Sequence, residues 1–289
     1  MLRSRTISNI YTGGQHMDWN SEWKKTRDEN GHSNSVDFWN AFAPRFRKKP
    51  EPGKHDIYAE EFYRLSEIEQ GDTIFDMGCA SGTLAIPFAQ KGHEIYAADF
   101  SPRMLEVLSE DAAELGLSDR IHTMQLDWNE DWGRREIPLC DIAISSRSLI
   151  SDDLEGCLMK LEQVAAKKVC LGVWTSGKSG YDRKIARAIE YKSSDYGAFA
   201  YIMNLLFELN RMPRLSYIEG PFKPKKYESF DDCISTVTAS FPETLDRQQH
   251  DRLVEYTQNH LVNKDGKWIY DHDGTAVWAF ICWDMQRSL

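Results

Sequence analysis

Short apolar runs alternate along this chain with stretches in which apolar residues recur at helical spacing. The runs predict seven strands, at residues 73–76, 93–100, 121–128, 141–144, 168–175, 214–219 and 275–283. Apolar residues spaced three and four apart predict the helices between them, including 57–68, 152–166 and two helices between 229 and 262. Strands that alternate with helices indicate an α/β fold with a doubly wound, mostly parallel sheet.

The stretch 73–83 organises the rest of the chain. A buried strand reaches Asp76, breaks into a loop of small residues that contains Gly78 and Gly82, and continues into a helix from Leu84. This order of elements brings backbone N–H groups and a helix N-terminus against a ligand. An ordinary tight turn between strand and helix is the alternative.

Two further predicted strands end in an acid. Asp99 follows Gly82 by 17 residues, at a position where a carboxylate accepts hydrogen bonds from ribose hydroxyls. Capping of the next helix is already provided by Ser101, which leaves Asp99 available for a ligand. Asp127 is followed by Trp128, a pair that can accept from an adenine amino group and wall the ring.

Together, these segments resemble the motifs of the class I S-adenosylmethionine-dependent methyltransferases, over residues 71–175. Residues 75–83 resemble the first motif, Asp-x-Gly-x-Gly-x-Gly, with Ala80 in place of the middle glycine; residues 98–105, 126–128 and 140–149 resemble the next three. The resemblance implies a seven-stranded sheet with an antiparallel last strand, and S-adenosylmethionine as cofactor. The cofactor-binding residues it implies are Asp76, Gly78, Cys79, Ala80, Gly82, Thr83, Asp99, Phe100, Met104, Asp127, Trp128 and Ser145.

Ala80 is the one departure in the first motif, and its methyl group is tolerated if the local φ is negative. The competing interpretation is an NAD(P)-dependent oxidoreductase, whose Gly-x-Gly-x-x-Gly fingerprint would need glycine where Ala80 and Thr83 stand. Asp76 also argues against it, because a carboxylate there would crowd a pyrophosphate but could accept from the amino group of a methionine moiety. A non-catalytic S-adenosylmethionine-binding protein remains a second alternative.

Composition narrows the choice of partners and compartment. The chain has 289 residues, of which 41% are apolar and 28% charged, and its net charge of −10 disfavours nucleic acid as a partner. No apolar run is long enough for a membrane span. The six cysteines form no Cys-x-x-Cys pair, which favours reduced cysteines and a cytoplasmic location. The nearest approach to a metal-ligand cluster, Asp271-His272-Asp273, is interpreted as a polar turn, so no metal is predicted.

Two regions outside the motifs, the N-terminal helices and an insertion after the fifth strand, are predicted to cover the active site. Residues 1–17 are interpreted as a leader that is disordered or foreign to the natural protein, and 18–289 as the methyltransferase domain, with cap helices at 18–50 and a helical lid at 176–213. The lid and the aromatic helix 38–46 are expected to roof the transferable methyl group, which favours a small, partly apolar acceptor. The alternative is that Phe199, Leu205 and Leu206 dock onto the body or form a homodimer interface.

Methyl transfer is an in-line displacement, for which positioning and exclusion of water suffice, so no catalytic residue is assigned. The candidate acceptor contacts are Trp39, Arg147, Tyr196 and Tyr201, with Tyr181 as a further lid residue. Arg147 follows the fourth strand and could hold a carboxylate with both arms of its guanidinium, or pair with Asp152 or Asp153.

Overall fold

The computed structural model describes residues 17–28, 35–46, 56–175, 182–192, 197–222, 225–241 and 244–285. The strands are β1 Thr73–Met77, β2 Glu94–Asp99, β3 Ile121–Gln125, β4 Cys140–Ser146, β5 Ala165–Trp174, β6 Arg214–Phe222, β7 Leu261–Lys264, β8 Lys267–Tyr270 and β9 Gly274–Asp284. Seven of them form one sheet in the order β3-β2-β1-β4-β5-β9-β6. Only β9 runs antiparallel to its neighbours in this sheet, which confirms the predicted fold class.

The helices are α1 Trp19–Asp28, α2 Val36–Phe46, α3 Ile57–Ser66, α4 Ala85–Gln90, α5 Pro102–Glu114, α6 Leu154–Gln163, α7 Arg183–Ala188, α8 Ala198–Glu208, α9 Phe230–Thr238 and α10 Arg247–His260. Side chains of α3, α4 and α5 pack on one face of the sheet and those of α1, α6 and α8 on the other. Neighbouring β1 residues point to opposite faces: Ile74 packs in the core under α3, α4 and α5, and Phe75 in the core under α1, α6 and α8. None of the described helices is both long and apolar enough to cross a membrane.

Strand register brings the acidic strand ends to one edge of the sheet. Asp76 pairs with Ala97 of β2 and with Ile144 of β4, so Asp99 and Ser146 each lie two residues beyond the same level. All three side chains therefore stand at the carboxyl edge of parallel strands, where α/β folds bind ligands.

Several element boundaries differ from the sequence prediction; the third strand, for example, ends at Gln125, so Asp127 and Trp128 lie in the turn that follows it. The helix predicted to run to residue 166 ends at Gln163, and β5 already begins at Ala165, where it pairs with Cys140. The helix predicted to reach Val262 ends at His260, because residues 261–270 form the β7–β8 hairpin. Its turn, Asp265-Gly266, has positive φ at both residues (53° and 79°), as a tight two-residue hairpin requires.

A third, smaller core lies beside the sheet. Residues of α7, α9, α10 and the hairpin build it, and Cys233 and Leu253 are its fully buried centre. Of the two helices in the region predicted as a lid, α7 thus belongs to this third core. The second, α8, buries Ile202, Leu205 and Leu206 in the core beneath α1. The two helices of the 176–213 insertion thus pack against different cores. The predicted leader up to residue 16 and residues 47–55 lie outside the described residues.

Candidate functional site

The loop after β1 continues the hydrogen bonding of the sheet before it turns. The backbone N–H groups of Gly78 and Cys79 both donate to the carbonyl of Ala98, at 2.7 and 3.0 Å. Gly78 has a φ of 73°, and a Cβ at this position would lie 2.2 Å from the Cβ of Ser148. Glycine is therefore required both by the backbone conformation and by the close approach of the segment after β4.

Ala80 adopts a φ of 49°, so the negative φ under which its methyl group would be tolerated is not what the loop uses. Its N–H donates to Asp99 Oδ2 at 2.9 Å, and this bond fixes the backbone in the left-handed region. A left-handed conformation costs a non-glycine residue about 1–2 kcal/mol because Cβ approaches the carbonyl oxygen. The loop thus holds local strain that Asp99 helps to maintain.

Asp76 is a buried carboxylate at the end of β1, only 2% exposed. Its Oδ2 accepts no hydrogen bond from the described residues. Burial raises the pKa of Asp76 to about 7, and the nearby charge of Asp99 adds to the rise. A buried acceptor without a partner is costly unless a ligand satisfies it, so this site fits the ammonium group of an amino-acid moiety.

Asp99 ties the end of β2 to the loop after β1. Its Oδ1 accepts from the N–H of Ser101 and its Oδ2 from the N–H of Ala80, both at 2.9 Å. Burial raises the pKa of Asp99, while these two N–H donors act in the opposite direction. Each carboxylate oxygen still has a second lone pair, so the residue can position the loop and accept from ribose hydroxyls at once.

The segment after β4 closes over the loop through two serines. Ser148 Oγ donates to the carbonyl of Met77 at 2.8 Å, and Ser145 Oγ lies 2.6 Å from Ser148 Oγ. The indole N–H of Trp128 donates to the Ser148 carbonyl at 2.7 Å, which joins the end of β3 to the same point. Three predicted cofactor segments therefore meet here.

Trp128 and Asp127 already have protein partners. The Trp128 ring is buried and stacks on Trp132, with centroids 5.5 Å apart. Asp127 Oδ1 accepts from the N–H of Asn129 at 2.8 Å and shapes the turn after β3. Their contact with an adenine ring stays a prediction.

The remaining cofactor candidates lie around the same loop. Cys79 and Met104 are buried, whereas Thr83 and Phe100 are half-buried. Burial raises the pKa of the Cys79 thiol well above its usual range, so the thiol stays protonated. Gly82 packs closely under Leu108, whose Cδ1 would lie 2.5 Å from a Cβ at that position.

The helix α2 docks on the start of α5, beside Ala80. Asn40 Oδ1 accepts from Ser101 Oγ at 2.7 Å and from the N–H of Arg103 at 3.3 Å. Trp39 packs on a small apolar cluster of Ala43, Met104 and Val107 that Ala80 also touches. The structure thus places Trp39 next to the predicted cofactor loop.

Arg147 occupies the turn after β4, with a φ of 58°. Its guanidinium carbon lies 4.4 Å from the centroid of the Tyr58 ring and 6.0 Å from that of Trp278, while the side chain remains exposed. Within the described ranges, Arg147 makes no ion pair with Asp152, Asp153 or any other carboxylate. Asp153 instead caps α6, where it accepts from the N–H of Gly156 at 2.9 Å.

The aromatic residues under Arg147 are functional candidates that the sequence prediction missed. The Trp278 ring packs against Tyr58 at 4.8 Å and Trp174 at 5.1 Å between centroids. Tyr58 OH lies 2.6 Å from Ser146 Oγ, and burial raises the pKa of Tyr58 while Arg147 opposes the rise. Trp278 is 6% exposed, and its indole N–H has no hydrogen-bond partner in the described part of the chain.

Tyr201 packs into the N-terminal helix α1. Its ring centroid lies 6.1 Å from that of Trp19 and 5.8 Å from that of Trp23. The indole N–H of Trp23 donates to the carbonyl of Ser151 at 2.8 Å, so α1 and α8 are joined to the loop between β4 and α6. The other two tyrosine candidates, Tyr181 and Tyr196, lie outside the described residues.

The amino-acid sequence matches a protein family and resembles proteins of Haemophilus influenzae and Pyrobaculum aerophilum. Residues 74–167 match the family described as "Methyltransferase domain". A Haemophilus influenzae protein named only as uncharacterized is 27% identical over 235 residues, which cover 81% of this chain and 84% of that protein. A Pyrobaculum aerophilum protein named "Probable cobalt-precorrin-6B C(15)-methyltransferase (decarboxylating)" is 34% identical over 71 residues, 24% of this chain and 36% of its own length.

Among solved structures, the [4+2]-cyclase SpnF is similar with a TM-score of 0.50 and 12% sequence identity. The match covers 88% of this chain and 95% of that one. At this identity the likeness concerns the fold alone. The family match and the strand order together confirm the resemblance that the four motifs indicate.

Proposed function

We propose that this chain, whose core is a class I methyltransferase domain, transfers a methyl group from S-adenosylmethionine to a small, partly apolar acceptor. The observation that carries the proposal is the pair of buried carboxylates, Asp76 and Asp99, on adjacent strand ends around a loop held by Gly78. Asp76 has an acceptor oxygen that no described residue satisfies, and Asp99 retains unused lone pairs. Such a pair suits a ligand with an ammonium group at one end and a ribose at the other.

In this proposal, Asp76 holds the ammonium group of the cofactor and Asp99 its ribose hydroxyls, while Phe100, Asp127 and Trp128 surround the adenine. When bound, S-adenosylmethionine supplies an electrophilic methyl group on a sulfonium. The protein's contribution is to orient the acceptor and exclude water, because an in-line displacement needs little else. Burial raises the pKa of Tyr58 and its hydroxyl lies 2.6 Å from Ser146 Oγ, so Tyr58 is not assigned as a base and contributes its ring beneath Arg147.

Arg147 supports an acceptor that carries a carboxylate. Its guanidinium is stacked on Tyr58, exposed, and without a carboxylate partner in the described ranges. A stacked guanidinium loses little freedom when it binds a carboxylate through two parallel hydrogen bonds. Trp174, half-buried beside Trp278, offers apolar surface to a partly apolar molecule, whereas the buried rings of Tyr58 and Trp278 support the guanidinium.

The covering elements are part of the proposal. The apolar residues Leu205 and Leu206 are used in the core under α8, so the insertion contributes cover through its half-buried residues Phe199 and Tyr201, together with α1. The helix α2 closes the nucleotide side through Asn40. A site covered by α1 and the insertion on one side and by α2 on the other favours a small acceptor, because a polymer would need an open groove.

Titration calorimetry with S-adenosylhomocysteine and with NADH tests the cofactor assignment. We expect S-adenosylhomocysteine to bind and NADH not to bind; the reverse result would overturn the assignment in favour of an oxidoreductase. An acceptor screen with isotopically labelled S-adenosylmethionine then tests transfer. Binding without transfer to any acceptor would favour the alternative of a non-catalytic S-adenosylmethionine-binding protein.

The variant Arg147→Gln tests the proposed role of Arg147 in binding the carboxylate of the acceptor. We expect the KM of a carboxylate acceptor to rise by roughly tenfold or more, because a charged hydrogen bond contributes about 1.5–3 kcal/mol. The affinity for S-adenosylhomocysteine should change by less than about twofold, since Asp76 and Asp99 are untouched. An unchanged KM in a folded variant would remove Arg147 from the acceptor site.

A further inference from the structure

The β7–β8 hairpin brings together a group of polar side chains that are separated in the sequence. Leu261 pairs with Tyr270, so the residues just outside this pair, His260 and Asp271, stand opposite one another. The N–H of Asp271 donates to the carbonyl of His260 at 2.8 Å, which fixes this pairing. His272 follows directly and is half-buried. The cluster therefore lies at the edge of the third core, just before β9 begins.

The three side chains are spaced as metal ligands. Asp271 Oδ1 lies 2.9 Å from His272 Nδ1 and 3.2 Å from His260 Nδ1. One ligand atom of each residue lies within 4.8 Å of the others. Bonds of about 2.0–2.1 Å in a tetrahedral site separate neighbouring ligand atoms by about 3.3 Å, so little movement would be needed to surround an ion.

A further contact orients one of the imidazoles. Tyr256 OH lies 2.9 Å from His272 Nε2, the nitrogen that faces away from Asp271. If Nε2 carries the ring proton and donates it to the tyrosine oxygen, Nδ1 has a free lone pair directed at the cluster. Metal-binding histidines are commonly oriented by such a bond from the second ring nitrogen.

We propose that His260, Asp271 and His272 bind a divalent transition-metal ion of the zinc class, with water completing its coordination. Two imidazoles and one carboxylate suit zinc, cobalt or nickel, whereas magnesium and calcium prefer oxygen ligands. The ion would tie the last residue of α10 to the turn between β8 and β9. Its role is structural: it fastens the third core to a strand of the main sheet.

Sequence spacing does not indicate this site, because His260 lies eleven residues before Asp271. The segment 271–273 therefore resembles a polar turn, and only the hairpin register adds the second imidazole. The proposal is independent of the methyl-transfer assignment, since none of its residues belongs to the cofactor or acceptor site.

The test is titration of the chelator-treated full-length chain, without a histidine tag, with Zn²⁺ by calorimetry and with Co²⁺ by visible absorption. We expect one equivalent to bind with a Kd of about 1 μM or tighter. The Co²⁺ spectrum should show nitrogen and oxygen coordination, and Zn²⁺ should raise Tm. A roughly tenfold excess of Mg²⁺ over Zn²⁺ should not compete.

Three variants decide the outcome. His272→Gln and Asp271→Asn should each weaken binding by at least about tenfold and abolish the Tm shift. His250→Gln, on the exposed side of the same helix α10, should leave both unchanged. Circular dichroism checks that each variant is folded. If His272→Gln does not fold, Asp271→Asn, which keeps the shape of the side chain, provides the test. Absence of saturable binding to the unaltered chain, or unchanged binding in the folded variants, would overturn the proposal.

Discussion

The pKa of Asp76 predicts that cofactor affinity depends on pH in a defined direction. Burial raises this pKa from 3.8 to about 7, so part of the free protein carries a neutral carboxyl at neutral pH. A ligand ammonium beside Oδ2 would favour the ionised form, and binding would then release a proton. Affinity should therefore rise with pH up to about 7 and level off above it.

The magnitude follows from the ionised fraction. With a pKa of about 7, roughly one molecule in eleven is ionised at pH 6 and half are ionised at pH 7. If the ionised form is the one that binds, the Kd for S-adenosylhomocysteine should fall about fivefold from pH 6 to pH 7 and no more than about twofold from pH 7 to pH 8. Calorimetry in two buffers of different ionisation enthalpy measures the proton release directly.

Asp76→Asn should flatten this profile because the amide does not titrate. Asp141→Asn is the matched control: that carboxylate lies at the opposite edge of the same sheet, where it accepts from the N–H of Thr73 and pairs with Lys167. A Kd that does not change with pH in the unaltered protein, or an equal slope in Asp76→Asn, would refute the ammonium assignment.

The raised pKa of Asp76 also makes the free energy of unfolding depend on pH. An acid whose folded pKa lies above its unfolded pKa favours the protonated folded state, so this contribution is present at low pH and is lost as pH rises from about 4 to 7. The loss is at most about 4 kcal/mol, from roughly three pKa units at about 1.36 kcal/mol each. Asp76→Asn should accordingly raise the free energy of unfolding of the ligand-free protein at pH 8 and change it little at pH 4.

Three further predictions concern the loop between β1 and α4. Gly78→Ala should abolish S-adenosylhomocysteine binding and cost several kcal/mol of stability by denaturant unfolding, whereas Gly116→Ala, which has a similar φ of 69° but nothing within 4 Å, should cost only about 1 kcal/mol; equal costs would contradict the close contact with Ser148. Ala80→Gly should stabilise the fold by roughly 0.5 kcal/mol, because relief of left-handed strain exceeds the entropy cost of glycine; a loss above about 1 kcal/mol would mean that the methyl packing dominates. Asp99→Ala should weaken cofactor binding about tenfold or more and also lower Tm, since two N–H groups lose their acceptor; unchanged affinity in a folded variant would refute its ribose role.

The cofactor side of the site was predictable because each of its parts is local in sequence. Asp76 and Asp99 are each marked by a strand that ends in an acid, and parallel strands bring their carboxyl ends to one edge. The conformation of Ala80 was not predictable from the motif. It depends on the hydrogen bond that the Ala80 N–H donates to the carboxylate of Asp99, 19 residues away, and this bond compensates a backbone state that alanine rarely adopts.

The acceptor side was predictable only in part, because it is assembled from distant segments. Arg147 follows a recognisable strand, but its aromatic neighbours Tyr58 and Trp278 come from a helix before β1 and from the last strand. Gly172 admits the hydroxyl of Tyr58, since a Cβ there would lie 2.1 Å from it. The β7–β8 hairpin, in contrast, carries an Asp-Gly turn signal that the sequence displays and that the helical interpretation overlooked.

The contacts at the carboxyl edge suggest which parts of the site are set before any ligand arrives. Asp99 fixes the loop after β1 to β2, and Ser148 fixes the end of β1 to the segment after β4, through hydrogen bonds between the chain's own residues. The loop therefore needs little rearrangement to receive a cofactor, and binding would spend little free energy on ordering it. The covering helices α1 and α2 are fixed in the same way: Asn20 and Asn40 accept hydrogen bonds at the starts of α6 and α5, and Trp23 and Ala43 are buried beneath them. Because loop and cover are both held by contacts within the chain, selection among acceptors would rest on the side chains that face the site rather than on movement of the loop.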